Sequence, residues 1–470
     1  MRNAFRSTLL SAGLLVVLSA CEDTTRPDEE RVNLSPQLNS SLAITMTDLG
    51  TLDGGPDSYA VGVSSLGHVA GRARSSSGQW RAFLWDGPMH DLGTLGGVEA
   101  FAYGSNNLGH VVGDSRTASN ESHAFLWDGT MRDLGTLGGG GSHALAVNDL
   151  GHVVGFSTTD SLVDHAFLWD GAMRDLGTLG GTPSIALAVN LGQVVGWSLT
   201  ASGERHGFLW DGTMHDLGTL GGTSSHARAV NAHGQAAGVS VTASGETHGF
   251  LWDGTIHDLG TLGGNDSWAD EINNLGQIAG WSRTASGAYH AFLWDGTMHD
   301  LGTLGGNESW AEGINDLGHV VGASQTASGE WHAFFWDGTM HDLGSLGGTE
   351  AFAEFISDGG HIAGSARTPA GQWHAIQWTV RVVPPDPVEA IANVTAAVEA
   401  AGLPAGAERS VVATLDAAAL QVQNGNVVAA TQLLQAVINQ VEAMVRSARL
   451  STEAGQAIID AARAAIAALG

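Results

Sequence analysis

The sequence predicts an all-β propeller of eight four-stranded blades, closed by an N-terminal strand and followed by a small α-helical bundle. The first observation is a tryptophan that recurs eight times from Trp85 to Trp378, at a spacing of 42 residues except for one step of 41. The second is the surrounding pattern, His-Ala-Phe-Leu-Trp-Asp-Gly-Thr-Met-His-Asp-Leu-Gly-Thr-Leu-Gly-Gly at 290–306, which returns almost unchanged. A period of roughly 40–45 residues with a Trp-Asp pair at a strand end is typical of propeller blades, whereas helical solenoids show helix-length apolar faces.

The segment before the repeats predicts export and lipid anchoring. Arg2 and Arg6 precede an apolar run over 9–18 that is too short to cross a bilayer, so 1–20 is interpreted as a signal peptide. The sequence Leu-Ser-Ala-Cys at 18–21 resembles the bacterial lipobox, whose cysteine becomes the lipidated first residue. This resemblance implies a membrane anchor at Cys21. The alternative is a secreted protein in which the cysteine is incidental.

The residues after the cysteine, 21–41, are short, polar and acidic, which predicts a disordered tether between the anchor and the folded body. Glu22 stands where an aspartate would favour retention in the inner membrane, so the expected location is the outer membrane or the cell surface. Because Cys21 is the only cysteine, an intramolecular disulfide and a cysteine-ligated metal site are excluded.

The charge balance excludes several classes of protein. The formal net charge is −29, and all 19 basic residues are arginines. Such a negative chain is a poor ligand for DNA or RNA, so no nucleic-acid partner is expected. The lack of lysine also removes the phosphate-binding P-loop, Schiff-base chemistry and pyridoxal phosphate, because each needs that ammonium group.

One repeat, beginning at Gly263, predicts four short strands over 267–273, 276–282, 289–294 and 297–301. Turn segments rich in Gly, Asn and Asp separate them, as tight turns require. The small residues of the first strand suit an innermost position around a central channel. The segment 44–49 matches an outermost strand but precedes the first blade, and the last repeat lacks an outermost strand. The two ends of the repeat region are therefore expected to pair and close the ring.

The repeated His-Ala-Phe-Leu-Trp-Asp-Gly and Asp-Leu-Gly-Thr-Leu-Gly-Gly units resemble the HAF-repeat family of bacterial extracellular proteins. The resemblance covers residues 46–379. It implies export and a repeat fold, and it brings no established catalytic or binding residues. The propeller is predicted over 42–380.

A proline-rich linker over 381–387 is expected to separate the propeller from a helical bundle over 388–470. Breaks at 402–406, Gly425 and 450–451 divide the bundle into about four helices, with Ser451 as an N-cap. The segments 415–423, 425–426, 436–441 and 458–469 resemble the small helical FIMAH module of bacterial surface and secreted proteins. One apolar stripe is interpreted as bundle core, with docking on the propeller or on an envelope partner as the alternative. That stripe contains Val427, Leu434, Val437, Ile438 and Val441.

Most of the 20 histidines fall at three repeat positions: after a turn, before Phe and before Asp-Leu-Gly. A residue that recurs in each blade indicates a structural role, as in WD-repeat proteins, which these blades resemble in kind. No histidine pair shows the spacing of a zinc hydrolase. The aspartates of the Asp-Gly and Asp-Leu-Gly segments are likewise expected to bond local backbone groups.

The repeats differ where each inner strand begins, and specificity is expected where the blades diverge. The position before the inner-strand alanine is occupied, in modules one to eight, by Tyr59, Phe101, His143, Ile185, His226, Trp268, Trp310 and Phe352. The position two residues earlier is acidic in five modules, with Asp57, Glu99, Asp266, Glu308 and Glu350. Ring closure makes modules six, seven, eight, one and two neighbours, and each of them pairs a carboxylate with an aromatic ring.

Further carboxylates follow on the inner strands of modules six to eight, at Asp270, Glu271, Glu312 and Glu354. Aromatic faces stack on sugars or cations, and carboxylates accept hydroxyl hydrogen bonds or bind Ca²⁺. These residues are expected to form one rim with the Thr-Ala-Ser-Gly-Glu turns. The alternative is that the aromatics pack between blades and the acids are merely solvated.

The preferred hypothesis is therefore a surface-anchored, monomeric, non-catalytic protein whose rim binds a glycan, a cationic ligand or another envelope component. One alternative is a Ca²⁺-dependent lyase or glycosidase in which two rim carboxylates act as acid and base. The sequence shows no nucleophile with its base and no metal-hydrolase motif, and it assigns no catalytic residue and no cofactor beyond that Ca²⁺ option. A passive structural spacer is the other alternative.

Overall fold

The computed structural model describes residues 41–383 and 386–469. The predicted signal peptide, Cys21, nearly all of the tether, and Pro384 and Pro385 lie outside these residues. The chain divides into two compact units, one of which contains the repeats, Thr45–Thr379, and the other the helices. Each unit is described by itself.

The repeats form eight four-stranded antiparallel blades, which establishes the all-β propeller. Each blade has its strands in chain order from the inside outwards, and each first strand contacts the first strands of both neighbouring blades. The ring therefore surrounds a central channel. A short 3₁₀ turn, Leu52–Gly54, connects the first two strands.

The strands are β1 (Ser41–Asp48); in blade 1 β2 (Ser58–Val63), β3 (Val69–Arg74), β4 (Trp80–Trp85) and β5 (Met89–Asp91); in blade 2 β6 (Gly96–Ser105), β7 (Val111–Thr117), β8 (Ser122–Trp127) and β9 (Met131–Asp133); in blade 3 β10 (Gly138–Val147), β11 (Val153–Thr159), β12 (Asp164–Trp169) and β13 (Met173–Asp175); and in blade 4 β14 (Gly180–Asn190), β15 (Gln193–Thr200), β16 (Arg205–Trp210) and β17 (Met214–Asp216). Blade 5 has β18 (Gly221–Val230), β19 (Ala236–Thr242), β20 (Thr247–Trp252) and β21 (Ile256–Asp258); blade 6 has β22 (Gly263–Ile272), β23 (Ile278–Thr284), β24 (Tyr289–Trp294) and β25 (Met298–Asp300); blade 7 has β26 (Gly305–Ile314), β27 (Val320–Thr326), β28 (Trp331–Trp336) and β29 (Met340–Gly344); and blade 8 has β30 (Ala351–Ile356), β31 (His361–Arg367) and β32 (Trp373–Val383).

The first strands begin earlier than the sequence predicts. In blade 6 the strand starts at Gly263, inside the Gly-Gly segment interpreted as a loop, instead of at Ser267. The reason is that this segment runs beside both blades: Gly263 pairs with Thr284 of its own blade, and Asp266 pairs in parallel with Thr247 of the preceding one. The glycines leave room for this close approach, because a Cβ on Gly264 would lie 2.6 Å from the carbonyl oxygen of Arg283.

A buried serine joins neighbouring blades at six of the eight junctions. The Ser142 hydroxyl accepts a hydrogen bond from the Ala124 N–H at 2.8 Å and donates one to the Gly135 carbonyl at 2.6 Å. Equivalent bonds are made by Ser184, Ser225, Ser267 and Ser309. Alanines stand at this position at the remaining two junctions, at Ala100 and Ala351.

The same serine bond closes the ring. Ser58 accepts from the Ala375 N–H at 2.8 Å and donates to the Gly50 carbonyl at 2.5 Å, across 317 residues of chain. Strand β1 pairs with β32 as the outermost strand of blade 8, which confirms the predicted closure by the N-terminal strand. Strand β32 continues to Val383, three residues into the predicted linker.

Hydrophobic cores lie between adjacent blades, so each blade is half of two cores. The phenylalanine of the third strand is fully buried in blades 1 to 7, for example Phe125 and Phe292, and Ile376 takes its place in blade 8. It packs with apolar residues of the preceding blade, as Phe125 does with Ala82 and Leu84. Burial of a phenylalanine stabilises a fold by roughly 1.5–3 kcal/mol, so the repeated pattern also supplies the main packing energy of the ring.

The second unit contains α1 (Pro387–Ala400), α2 (Ala405–Gln423), α3 (Val427–Arg446) and α4 (Thr452–Ala467). Ser451 caps α4 as predicted, accepting from the Ala454 N–H at 3.2 Å. Four members of the predicted apolar stripe are buried in the bundle core, but Val427 is 44% exposed because it is the first residue of α3. None of these four described helices combines the length and apolar character that crossing a bilayer requires.

The closing junction has the same serine hydrogen bonds as an internal junction, so we predict that the two junctions are equally stable. Ser58→Ala and Ser142→Ala should each lower the free energy of unfolding by about 1–3 kcal/mol, because each leaves a buried N–H and a buried carbonyl without a partner. Urea unfolding of both variants measures this. A loss in Ser142→Ala alone would show that the ring is open between blades 8 and 1.

Two glycines of the helical unit predict opposite responses to alanine. A Cβ on the buried Gly455 of α4 would lie 2.2 Å from the Val445 Cγ2 of α3, whereas Gly406 in α2 faces open space. Gly455→Ala should therefore destabilise the unit by about 1–3 kcal/mol despite better helix propensity. Gly406→Ala should stabilise it by up to about 1 kcal/mol. Thermal melting followed by circular dichroism at the helix band reports both; stabilisation by Gly455→Ala would contradict the α3–α4 packing.

Candidate functional site

The repeated histidines and aspartates build the blades. The His290 Nδ1 lies 2.9 Å from the Asp300 carboxylate, which also accepts from the Gly302 N–H at 2.8 Å. The same arrangement recurs at His123, His165, His206, His248, His332 and His374. A second pair joins turn and fourth strand, with the His299 Nε2 2.8 Å from Asp295. These bonds confirm the structural interpretation of the repeat positions.

The starts of the first strands and the turns between second and third strands lie on one face of the ring. A Cβ on Gly263 would lie 3.2 Å from the Cβ of Ala285, in the Thr-Ala-Ser-Gly turn of the same blade. Gly305 and Ala327 repeat this contact in blade 7. The predicted single rim is thus confirmed, and this face is called the rim face below.

An uninterrupted run of seven aromatic rings crosses the rim face over blades 7, 8, 1 and 2. Successive ring centroids are 4.3, 6.5, 5.8, 6.1, 6.0 and 5.9 Å apart. The seven rings, called the aromatic belt, belong in order to Trp310, Trp331, Phe352, Trp373, Tyr59, Trp80 and Phe101. All are partly buried except Trp373, which is buried. The predicted rim aromatics therefore do pack at blade junctions, and six of the seven belt rings keep part of their surface open.

Sequence analysis did not identify three of the belt rings, although their shared position in the repeat could have indicated them. Trp80, Trp331 and Trp373 occupy the first position of a third strand, two residues before the repeated Ala-Phe. Blades 2 to 5 carry Ser122, Asp164, Arg205 and Thr247 there. An aromatic at this position alternates around the ring with the predicted rim aromatics, and the three occur in neighbouring blades once the ring is closed.

Trp268 belongs to a separate cluster. Its ring stacks on Trp281 of the second strand at 5.7 Å, and Trp281 meets the edge of Tyr289 at 5.2 Å. His226 of blade 5 lies 5.6 Å from Trp268 on the other side. Because Trp281 lies on the second strand of the same blade, Trp268 packs within blade 6 and is not part of the aromatic belt.

Arginines already lie over the belt on blades 8 and 1. The guanidinium of Arg367 is 4.7 Å from the Trp373 ring, and that of Arg74 is 5.4 Å from Trp80. Arg72 lies 6.0 Å from the rings of Tyr59, Trp80 and Tyr103. The stacked pair Trp310–Trp331 of blade 7 has no such arginine among the described residues.

The predicted rim carboxylates are largely used inside the molecule. Asp57 accepts a hydrogen bond from the backbone N–H of Trp373 at 3.1 Å, and Glu350 forms an ion pair with Arg367. Glu308 is only 5% exposed. Glu99 and Asp266 are partly buried. Three of these five acids are thus built into the fold, instead of being freely solvated.

A β-bulge places one residue of every first strand out of register. In β22, Ala269 pairs with Gly280 and Glu271 with Ala279, so Asp270 is the extra residue. Such a bulge redirects a side chain, here two residues beyond the rim position. The equivalent residues, called the channel positions, are Val61, Tyr103, Leu145, Leu187, Arg228, Asp270, Glu312 and Glu354.

The channel positions divide the ring into two halves. Blades 1 to 4 contribute Val61, Tyr103, Leu145 and Leu187, whereas blades 5 to 8 contribute the charged arc Arg228, Asp270, Glu312 and Glu354. The Arg228 guanidinium lies 3.1 Å from the Asp270 carboxylate. Toward the other end of the arc, Glu312 and Glu354 of neighbouring blades repel each other, and Arg72 of blade 1 attracts Glu354. Among the predicted inner-strand acids, Glu312 and Glu354 are therefore brought together.

Two glutamates of this region hold their protons at neutral pH. Burial raises the pKa of Glu354 to about 8, and the nearby Glu312 adds to the rise. The Glu354 side chain still keeps partial access to solvent. Burial also raises the pKa of Glu271, which is 3% exposed, to about 8, and Asp270 adds to it. The Ile272 N–H is nearby, but neither Glu271 oxygen reaches hydrogen-bonding geometry with a described residue.

The Tyr59 hydroxyl and the His226 imidazole on the rim face are also held in their uncharged forms. Burial, with Asp57 nearby, raises the pKa of Tyr59 to about 12. Burial and the adjacent Arg228 lower the pKa of His226 to about 3. No three His, Cys, Asp or Glu residues within the described chain converge well enough to hold a metal ion. The rim face thus offers open ring surface above a channel wall that carries carboxyl groups.

No protein-family model and no curated protein matches this chain. Solved structures similar to it include the β-propeller domain of the Trilobed protease from Pyrococcus furiosus, at 12% identity and a TM-score of 0.44, covering 64% of this chain and 98% of that domain. Pyrococcus horikoshii acylaminoacyl peptidase gives 12% identity and 0.42, covering 68% and 59%. A mutant of the Aleuria aurantia lectin in complex with α-methyl-L-fucoside gives 12% and 0.27, covering 63% and 97%. At such values these similarities bear on neither ligand nor activity.

The buried glutamates predict that the protein loses stability as the pH rises. Glu271 stays protonated in the folded state up to about pH 8 but ionises near its ordinary value of 4.5 when unfolded. The folded state therefore binds more protons across this window, and stability falls with increasing pH. Glu271→Gln should flatten this dependence and raise the free energy of unfolding near pH 8, by on the order of a few kcal/mol.

Urea unfolding at about pH 5 and pH 8 measures the effect. Glu330→Gln, in an exposed turn, is the matched control and should leave the dependence unchanged. An unaltered pH slope in Glu271→Gln would contradict the assignment of a buried, protonated carboxyl at this position.

Proposed function

We propose that this chain is a non-catalytic binding protein of the bacterial cell envelope, whose rim face binds a glycan along the aromatic belt. The observation that carries the proposal is the belt itself, seven rings in contact over four blades with six of them partly open. A packed core would bury such rings completely, whereas sugar rings present flat C–H faces that stack on exposed indole and phenyl surfaces.

The polar groups beside the belt also favour a polyhydroxyl ligand. Acid–arginine pairs such as Glu350–Arg367 offer acceptors and donors side by side, as neighbouring hydroxyl groups require. On blades 8 and 1 the cation–π positions are already filled by Arg367, Arg74 and Arg72, which disfavours a purely cationic ligand there. A carbohydrate-active enzyme is the alternative, and it is distinguished by turnover of the bound glycan.

The anchoring part of the proposal comes from the sequence of 1–41, where the lipobox resemblance implies lipidation of Cys21. A folded propeller on a tether suits capture of polymers at a membrane surface. The helical module would add a second surface to the same assembly. Mass spectrometry of the protein purified from bacterial membranes tests the lipid on Cys21.

Belt substitution should reduce binding without unfolding the ring. Trp331→Ala removes a ring that contacts both Trp310 and Phe352, and glycan affinity should fall roughly 10- to 100-fold through lost stacking area. The control is Trp197→Ala on blade 4, which removes an equally half-buried tryptophan outside the belt. A glycan array followed by calorimetry on the best ligand gives both affinities, and thermal melting verifies folding.

Equal losses in the two variants would point to a general effect on the ring and would contradict belt recognition. The absence of any glycan ligand for the folded wild-type protein would refute the proposed function. Release of shortened products from a bound glycan would establish the enzymatic alternative.

A further inference from the structure

We propose that the glycan is an amino sugar polymer, whose rings stack on the Trp310–Trp331 end of the aromatic belt while a protonated amine binds at Glu312 and Glu354 of the charged arc. This inference rests on the proposed function and names the ligand class of the same site.

The belt and the arc share strands. Trp310 and Glu312 are two residues apart on β26, and Phe352 and Glu354 are two apart on β30. A strand rises about 3.3 Å per residue, so the backbone of each glutamate lies roughly 7 Å further along the first strand than that of its aromatic neighbour. That distance is on the scale of one pyranose unit with its substituent. A ring stacked at the rim can therefore direct an amino group to the bulge position.

The end of the arc formed by Glu312 and Glu354 has an excess of carboxyl groups. Arg228 is engaged by Asp270 at 3.1 Å, and the guanidinium of Arg72 lies among the rings of Tyr59, Trp80 and Tyr103. The charged neighbours of the Glu354 carboxyl are Glu312 and Arg72, and its side chain is partly open to solvent. Unlike blades 8 and 1, blade 7 has no arginine over its stacked tryptophans among the described residues. This place on the wall is suited to a cation brought by the ligand.

Glu271 is an independent indication of a polar ligand. Its two carboxyl oxygens are buried without a hydrogen-bond partner among the described residues, immediately after the channel position Asp270. A buried carboxyl of this kind costs stability and is retained where a polar group is to be met. Since no three metal-ligating side chains converge in the described chain, an organic ammonium is a better match than a metal ion.

Binding would exchange a proton for the amine. The pKa of Glu354, raised to about 8 by burial and by Glu312, keeps its carboxyl protonated in the free protein. An ammonium placed beside it favours the carboxylate, so the proton leaves to solvent and the amine keeps its own. An N-acetylated sugar lacks this charge and gains only stacking and hydroxyl hydrogen bonds. The amine therefore supplies specificity on a surface that accepts sugar rings in general.

The test compares two tetrasaccharides that differ only at this nitrogen, β-1,4-linked tetraglucosamine and tetra-N-acetylglucosamine. Calorimetry at about pH 6 should show the free amine binding at least roughly tenfold more tightly, with proton release that appears as a dependence on buffer ionisation enthalpy. Glu354→Gln and Glu312→Gln should each remove this preference and the proton release, and leave the N-acetylated affinity unchanged. Glu204→Gln, at the equivalent exposed turn position of blade 4, is the control and should keep both.

Equal binding of the two tetrasaccharides to the wild type would overturn the amino-sugar inference while supporting the proposed glycan function. A preference that survives in both glutamine variants would also overturn it, because the amine would then be recognised elsewhere. If neither tetrasaccharide binds, the inference fails, and the glycan array with Trp331→Ala decides separately whether the proposed function stands.

Discussion

The buried serine hydroxyl at six of the eight blade junctions is the interaction on which most of the ring depends. A single blade is a four-stranded sheet whose outer strand in most repeats has only three residues, and such a sheet has too little core to be stable alone. The serine ties the third strand and the Asp-Leu-Gly segment of one blade to the first strand of the next. It satisfies two buried backbone groups that no strand partner reaches. Each blade is therefore completed by its neighbour.

Because this joint uses repeat residues, the remaining positions are free to vary. The first strand carries the same bulge in all eight blades, yet the channel positions run from Val61 and Leu145 to Arg228 and Glu354. A symmetric scaffold thus carries an asymmetric interior. The charged arc and the aromatic belt overlap on blades 7 and 8, and this overlap indicates one site across neighbouring blades instead of eight small ones.

The sequence was sufficient for the architecture because its period encodes the packing directly. The eight blades, the closing strand β1 and the structural role of the repeated histidines follow from recurring residues, and the Ser451 cap follows from a local helix-start signal. The early start of β22 at Gly263 could not be predicted, because it depends on a parallel contact with the preceding blade. The hydrogen bond from the Trp373 N–H to Asp57 joins residues 316 apart in the chain, and the bulge at Asp270 depends on how β22 pairs with β23. Such features depend on tertiary placement that composition and spacing do not contain.

Because β1 is the outer strand of blade 8, the ring can close only after the last repeat has been synthesised. Blades 1 to 7 can each form all four strands as synthesis proceeds, but blade 8 takes its outer strand from the first described segment. Asp48 of that strand can pair with His374 only after 326 more residues have been synthesised. Bringing such distant segments together is slow relative to local pairing. Until β32 is made, an arc with two unpaired ends remains, and its exposed strand edges invite pairing with other chains. The final joint is thus both the last step of folding and the point at which a growing arc becomes protected from self-association.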